Sequence, residues 1–173
     1  MHTRFATNNL KTSRTRFWVG GDLKPGYGTA DLHVGQSGGD VEQVLGGPDE
    51  KVSSGEQFYY RYLANGVDVD LGRSLARVKR LFFFDTNIEG HSNKAPVLVQ
   101  GMQFGATRSQ IVKRFGAPNL TGGPVRVGRR MKSWVCYKSG IEFDFDGRDR
   151  LVTIIIFDPQ LLTQQAKAPS SGS

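Results

Sequence analysis

Gly35-Gln36-Ser37-Gly38-Gly39-Asp40-Val41-Glu42-Gln43-Val44-Leu45-Gly46-Gly47-Pro48 recurs about 70 residues later as Gly105-Ala106-Thr107-Arg108-Ser109-Gln110-Ile111-Val112-Lys113-Arg114-Phe115-Gly116-Ala117-Pro118. Self-similarity at a fixed spacing outranks local propensity as a guide to architecture. Ser37 and Thr107 stand where a helix N-cap is needed, and Asp40 and Gln110, three residues on, complete a capping box. Val41, Val44 and Leu45, and Ile111, Val112 and Phe115, form an apolar stripe at helical spacing. Gly46 and Gly116 suit a left-handed terminal residue, and Pro48 and Pro118 prevent continuation. Each copy thus opens with a helix of two to three turns.

The repeat continues beyond the helix. Tyr62, Gly66, Val67, Asp68 and Val69 are echoed by Tyr137, Gly140, Ile141, Glu142 and Phe143. Leu81-Phe82-Phe83-Phe84-Asp85 is echoed by Ile154-Ile155-Ile156-Phe157-Asp158. Val67–Leu71 and Ile141–Phe145 alternate apolar and acidic residues, as half-buried strands do. Gln57–Leu63 and Lys132–Tyr137 read as the strands before them, and Asp146-Gly147 as a type I′ hairpin turn. The expected fold class is α+β: two tandem units, each a short helical segment followed by a three- or four-stranded antiparallel sheet. The expected organisation is a basic extended N-terminal arm (1–30), unit 1 (31–89), a linker (90–98), unit 2 (99–159) and a flexible C-terminal tail (160–173).

This unit resembles that of beta-lactamase inhibitor proteins and of the related BamE/SmpA type of outer-membrane-assembly lipoproteins. The tandem arrangement is similar to the inhibitors, which carry two such units. The resemblance covers roughly residues 31–89 and 99–159. It implies a noncatalytic module that binds another protein with its exposed sheet face and loops.

The chain has 173 residues and a net charge of +7. That length holds one domain or two small modules and excludes a large multidomain enzyme. The 22 glycines, about twice average usage, suit recurring caps and turns. Charge is distributed unevenly: +4 in residues 1–30, −4 in 31–89 and +7 in 90–173. Such a dipolar chain favours oriented docking over uniform polyanion binding. Cys136 is alone, so no internal disulfide forms, and His2, His33 and His91 lack metal-ligand spacing. No metal and no cofactor are expected. No run spans a bilayer, and neither a leader nor an anchor cysteine is visible, which favours an intracellular protein unless a signal has been removed.

Catalytic patterns are wanting. Asp144-x-Asp146-Gly147-x-Asp149 lacks the length and terminal Glu of a calcium loop. Gly20–Gly28 has no phosphate-loop context, and Cys136 sits mid-strand, where burial makes a thiol inert. The chain is therefore not expected to be an enzyme.

Binding features stand out more. Phe58-Tyr59-Tyr60-Arg61-Tyr62 puts rings on both faces of one strand, and the runs 81–84 and 154–157 are apolar on both faces. Either the units cover each other or the second face meets a partner. Tyr59, Arg61 and Trp134 are assigned to an exposed surface. After the loop Thr121-Gly122-Gly123-Pro124, Arg126, Arg129, Arg130 and Lys132, beside Trp134, form a basic cluster that reads as a grip on phosphates or an acidic surface, or as a solvated hairpin. Phe17 and Trp18, after Arg4, Lys11, Arg14 and Arg16, read as anchors of a basic arm or as part of a flexible tail. The expected function is a protein-binding module of inhibitor or immunity type, or a small assembly subunit. The alternative is nucleic-acid association through the arm and the 126–132 loop.

Overall fold

A capping box opens each of the two helices that the repeat predicts. In the computed structural model, which describes residues 18–55, 57–73, 77–128 and 130–165, Ser37 caps α1 (Gly38–Leu45) and Thr107 caps α2 (Arg108–Phe115). In both, the cap side chain accepts from the N3 backbone N–H, and the N3 side chain accepts from the cap N–H. Asp40 gains a second donor in the Ser37 hydroxyl, and these bonds hold its carboxyl below the usual carboxylate range. Thr107→Ala should therefore cost about 1 kcal/mol in urea unfolding; an unchanged midpoint would mean that water replaces the cap. The helices do not end in left-handed residues. Gly46 (φ 84, ψ −169) and Gly116 (φ 83, ψ −170) adopt an extended positive-φ conformation open almost only to glycine.

The remaining elements are β1 (Gly21–Asp22), β2 (Glu50–Ser54), β3 (Gln57–Tyr62), β4 (Val67–Asp70), β5 (Arg80–Phe84), β6 (Val97–Leu98), β7 (Leu120–Val127), β8 (Arg130–Tyr137), β9 (Ile141–Phe145), β10 (Leu151–Phe157) and α3 (Gln160–Gln165). β1 pairs in parallel with β6, and the other strands form one sheet in the order β2-β3-β4-β5-β10-β9-β8-β7.

This overturns the expected α+β class of two separate units. The protein is mostly β, with only 14% helix, in three short helices among the described residues. The reason lies in β5 and β10. Both are apolar on both faces, and an edge position would expose their side chains along with unpaired backbone groups. They pair antiparallel instead, with Phe83 opposite Ile154 and Leu81 opposite Ile156, which fuses both meanders into one sheet.

The helices and the first described residues cover one face of this sheet. Val41, Ile111, Tyr62, Val69, Leu81, Phe83, Phe143 and Ile154 are buried there. Trp18, expected as a partner anchor on the basic arm, is in this core at 7% exposure, its ring 6.0 Å from that of Phe83. Leu23 is buried beside it, so residues 18–30 are not all an extended arm. The stretch read as a linker contributes buried His91, Ala95 and Val97.

Two local expectations need correction. No type I′ turn forms at Asp146-Gly147. A five-residue loop joins β9 to β10, because the Asp146 side chain accepts from the N–H groups of Arg148 (2.9 Å) and Arg150 (3.0 Å), while Asp149 takes φ 59. Thr121–Pro124 is not a loop but part of edge strand β7, where the register shifts between Gly122 and Val125. A proline is tolerated there because an edge strand has N–H groups with no ladder partner.

Candidate functional site

Strand alternation sends one set of side chains away from the helices, and register aligns them in rows across the sheet. One row runs Arg61, Asp68, Phe82, Ile155, Glu142, Cys136; the next runs Phe84, Thr153, Asp144, Trp134, Gly122. At one end of this face Leu161 and Leu162 of α3, with Phe82 and Trp134, pack against buried Cys136, Ile155 and Phe157. Burial pushes the Cys136 thiol up to about 11, which leaves it a poor nucleophile.

The rest of the face is an open groove of about 290 Å³. Its floor is Phe82, Phe84, Thr153 and Ile155, with Tyr59 and Asp68 on one side. Val127, Arg130, Met131 and Lys132 of the β7–β8 hairpin form the opposite wall, and Ile88 and Glu89 contribute from the loop after β5. Arg130 spans from the hairpin to that loop, donating to the Asn87 carbonyl at 2.5 Å.

Ion pairs hold the surroundings. Arg61 donates to Asp68 (3.2 Å), Glu50 (2.8 Å) and the Glu89 carbonyl (2.5 Å). Both ring nitrogens of His91 face acceptors, Asp68 Oδ1 and the Ile88 carbonyl, each at 2.9 Å, and its ring stacks on Phe84 at 4.1 Å. Arg80 donates to Asp70 at 2.7 Å and lies over the Phe82 ring at 5.5 Å. These contacts brace the loop after β5 and the side of the groove floor.

Two acids on β9 behave differently. Asp144 is 2% exposed; Lys132 Nζ lies 2.7 Å from its Oδ2, and its carboxyl is hydrogen-bonded to that of Glu142. Burial raises its carboxyl and Lys132 pulls it back down. Burial first, then repulsion from Asp144, pushes the Glu142 carboxyl up to about 7.

The structure brings Tyr59, Arg130 and Lys132 together at the groove and leaves the other expected site residues elsewhere. Arg61 is a half-buried brace beside it, and Arg126 is exposed on the edge strand. Trp134 lies half-buried over Gly122 and against the cluster of Cys136, Ile155 and Phe157, rather than on an open surface. Trp18 is on the opposite face, and Phe17 and Arg129 lie outside the described residues. Sequence reasoning did not single out Asp144, Phe82, Phe84 and Met131. The alternation of β9 marked its acids as facing away from the core, but not that the hairpin and Lys132 would close over one of them.

Among the described residues, no group of three or more His, Cys, Asp or Glu side chains is placed to hold a metal ion, and no helix is long and apolar enough to cross a membrane. No protein-family model matches the sequence, and no curated protein matches it. Among solved structures, a DUF4309 family protein, YjgB of Bacillus subtilis, is similar at 16% identity and a TM-score of 0.46, over 71% of this chain and 78% of that one.

Proposed function

We propose that the protein is a noncatalytic binding module that receives a partner protein at the groove and along the β7–β8 hairpin. One observation carries this reading. Among the described residues, four of the eight exposed large hydrophobic side chains lie on that hairpin: Leu120 (51%), Val125 (48%), Val127 (50%) and Met131 (42%). Exposed apolar side chains beside a concave site favour an interface. The resemblance of the repeat to beta-lactamase inhibitor proteins, which also implies a protein-binding sheet face, supports the same reading. Arg130 and Lys132, two of the cations on which nucleic-acid binding would rest, are engaged by the Asn87 carbonyl and Asp144.

The test is a double substitution at the rim. Val127→Asp with Met131→Asp should lower recovery of the partner from host extract roughly tenfold or more. The thermal midpoint should be unchanged, because both side chains are exposed. Full recovery by the double variant would refute the reading. Loss of the bound material on nuclease treatment, or between about 50 and 200 mM salt, would instead assign the surface to nucleic acid.

A further inference from the structure

We infer that the groove takes up one aromatic side chain of the partner protein, a phenylalanine or a tryptophan, between the rings of its floor and the hairpin wall. This rests on the binding-module reading and names the chemistry of its anchor. Of the six charged side chains that line the groove, five already have partners within the protein. Asp68 is paired with Arg61 at 3.2 Å and meets His91 at 2.9 Å, and Asp144 is paired with Lys132 at 2.7 Å. Asp146 accepts from the N–H groups of Arg148 and Arg150, and Arg130 donates to the Asn87 carbonyl. The sixth, Glu89, is exposed at the rim. A charged group that enters has to break one of these pairs and strand its other member. An uncharged side chain breaks none.

What remains of the lining is apolar and rich in rings. The Phe82 and Phe84 rings lie 6.3 Å apart with planes 9° from parallel, and the Tyr59 ring is tilted 60° to that of Phe82. These rings are fixed before anything binds: Phe84 stacks on His91, and the Arg80 guanidinium lies over Phe82. A pre-positioned floor spares part of the ordering cost of binding. A ring entering beside them makes the offset or edge-to-face contacts that give an aromatic side chain an advantage over an aliphatic one. The Met131 thioether on the opposite wall favours the same occupant. About 290 Å³ accommodates one large side chain, not a helix or a strand. The apolar surface also continues past the groove. Val127 (50% exposed) and Met131 (42%) carry it over the hairpin, and Val52 (39%), opposite Tyr59 on β2, carries it beyond the other side. A polypeptide that inserts a ring covers these flanks as well, which a free small molecule cannot.

The experiment titrates the full chain with blocked pentapeptides, acetyl-Ala-Ala-X-Ala-Ala-amide, where X is Phe, Trp, Leu, Arg or Glu. Backbone amide shifts of residues 82–84, 130–132 and 153–155 are followed by NMR. The Phe and Trp peptides should bind at least ~3-fold more tightly than the Leu peptide and at least ~10-fold more tightly than the Arg and Glu peptides. Affinity for the Phe peptide should change less than ~2-fold between about 50 and 200 mM salt. Phe82→Ala and, separately, Met131→Asp should each weaken it at least ~5-fold. If Phe82→Ala does not fold, the Phe-to-Leu ratio and the variant at exposed Met131 still decide. Equal binding of the Phe and Leu peptides, a preference for Arg or Glu, or no binding by either aromatic peptide overturns the inference. So does undiminished binding to Met131→Asp. Tighter binding of toluene than of the Phe peptide overturns its assignment to a polypeptide side chain. The two readings fail separately. A partner that is lost on rim substitution but indifferent to Phe82→Ala removes only the aromatic anchor. Aromatic peptides bound by a protein whose partner ignores the rim substitution remove only the interface.

Discussion

Phe83→Ala is expected to destabilise the protein by about 3–5 kcal/mol, the range for truncating a fully buried phenylalanine. Phe83 is at 0% exposure on β5 and lies at the seam that fuses the two meanders, opposite Ile154 of β10 and Val67 of β4. Its ring also meets Trp18, so the same truncation loosens the first described segment. Relaxation is limited because both neighbouring strands are fixed by their ladders, and a cavity remains. Urea unfolding should show a midpoint far below that of the parent with a similar slope. A loss under about 1 kcal/mol would mean that the seam closes over the gap and that the two halves do not depend on this contact.

The second large effect is a fall in stability with rising pH that vanishes in Glu142→Gln. The Glu142 carboxyl is raised to about 7 from an ordinary 4.5, chiefly by burial and then by Asp144, while Lys132 and Arg80 pull the other way. A raised acid binds its proton more tightly when folded. Its stabilisation is therefore complete below the unfolded value near 4.5 and is lost as pH climbs to about 7. The loss should be on the order of 2 kcal/mol, and Asp144, also raised, acts in the same direction. Asp40, held low by Ser37, acts oppositely and only at more acid pH. Glutamine keeps a donor toward Asp144 without the proton equilibrium. Unfolding free energies from about pH 5 to pH 8.5 should fall for the parent and stay flatter for the variant. The difference between the two cancels the histidines and all other common groups. Parallel curves would show that the raised Glu142 carboxyl is not the source of the pH dependence.

Legibility in the sequence followed the range of the interactions concerned. Capping boxes, the glycine stops and the alternation of β4 and β9 depend on neighbours within a few residues, so they could be read directly. β2, with Glu50–Ser54 wholly exposed, and glycine-rich β7 carry no periodic signal, since their pairing with β3 and β8 is what makes them strands. The groove was legible only in fragments. Tyr59, Arg130 and Lys132 were marked by type and clustering, whereas Asp144 acquires its character from burial under groups on another strand.

The repeat marked in advance the helices α1 and α2, which strands would carry acids, and that β5 and β10 would be apolar on both faces, but not α3, which falls in the stretch expected to be a flexible tail. Those properties are local, written in spacing and side-chain chemistry. Tertiary structure decided the rest. It merged two meanders into one sheet, because apolar edges cannot be left unpaired, and it drew Trp18 into the core. It also enclosed one β9 carboxylate, because a hairpin distant in sequence folds across it.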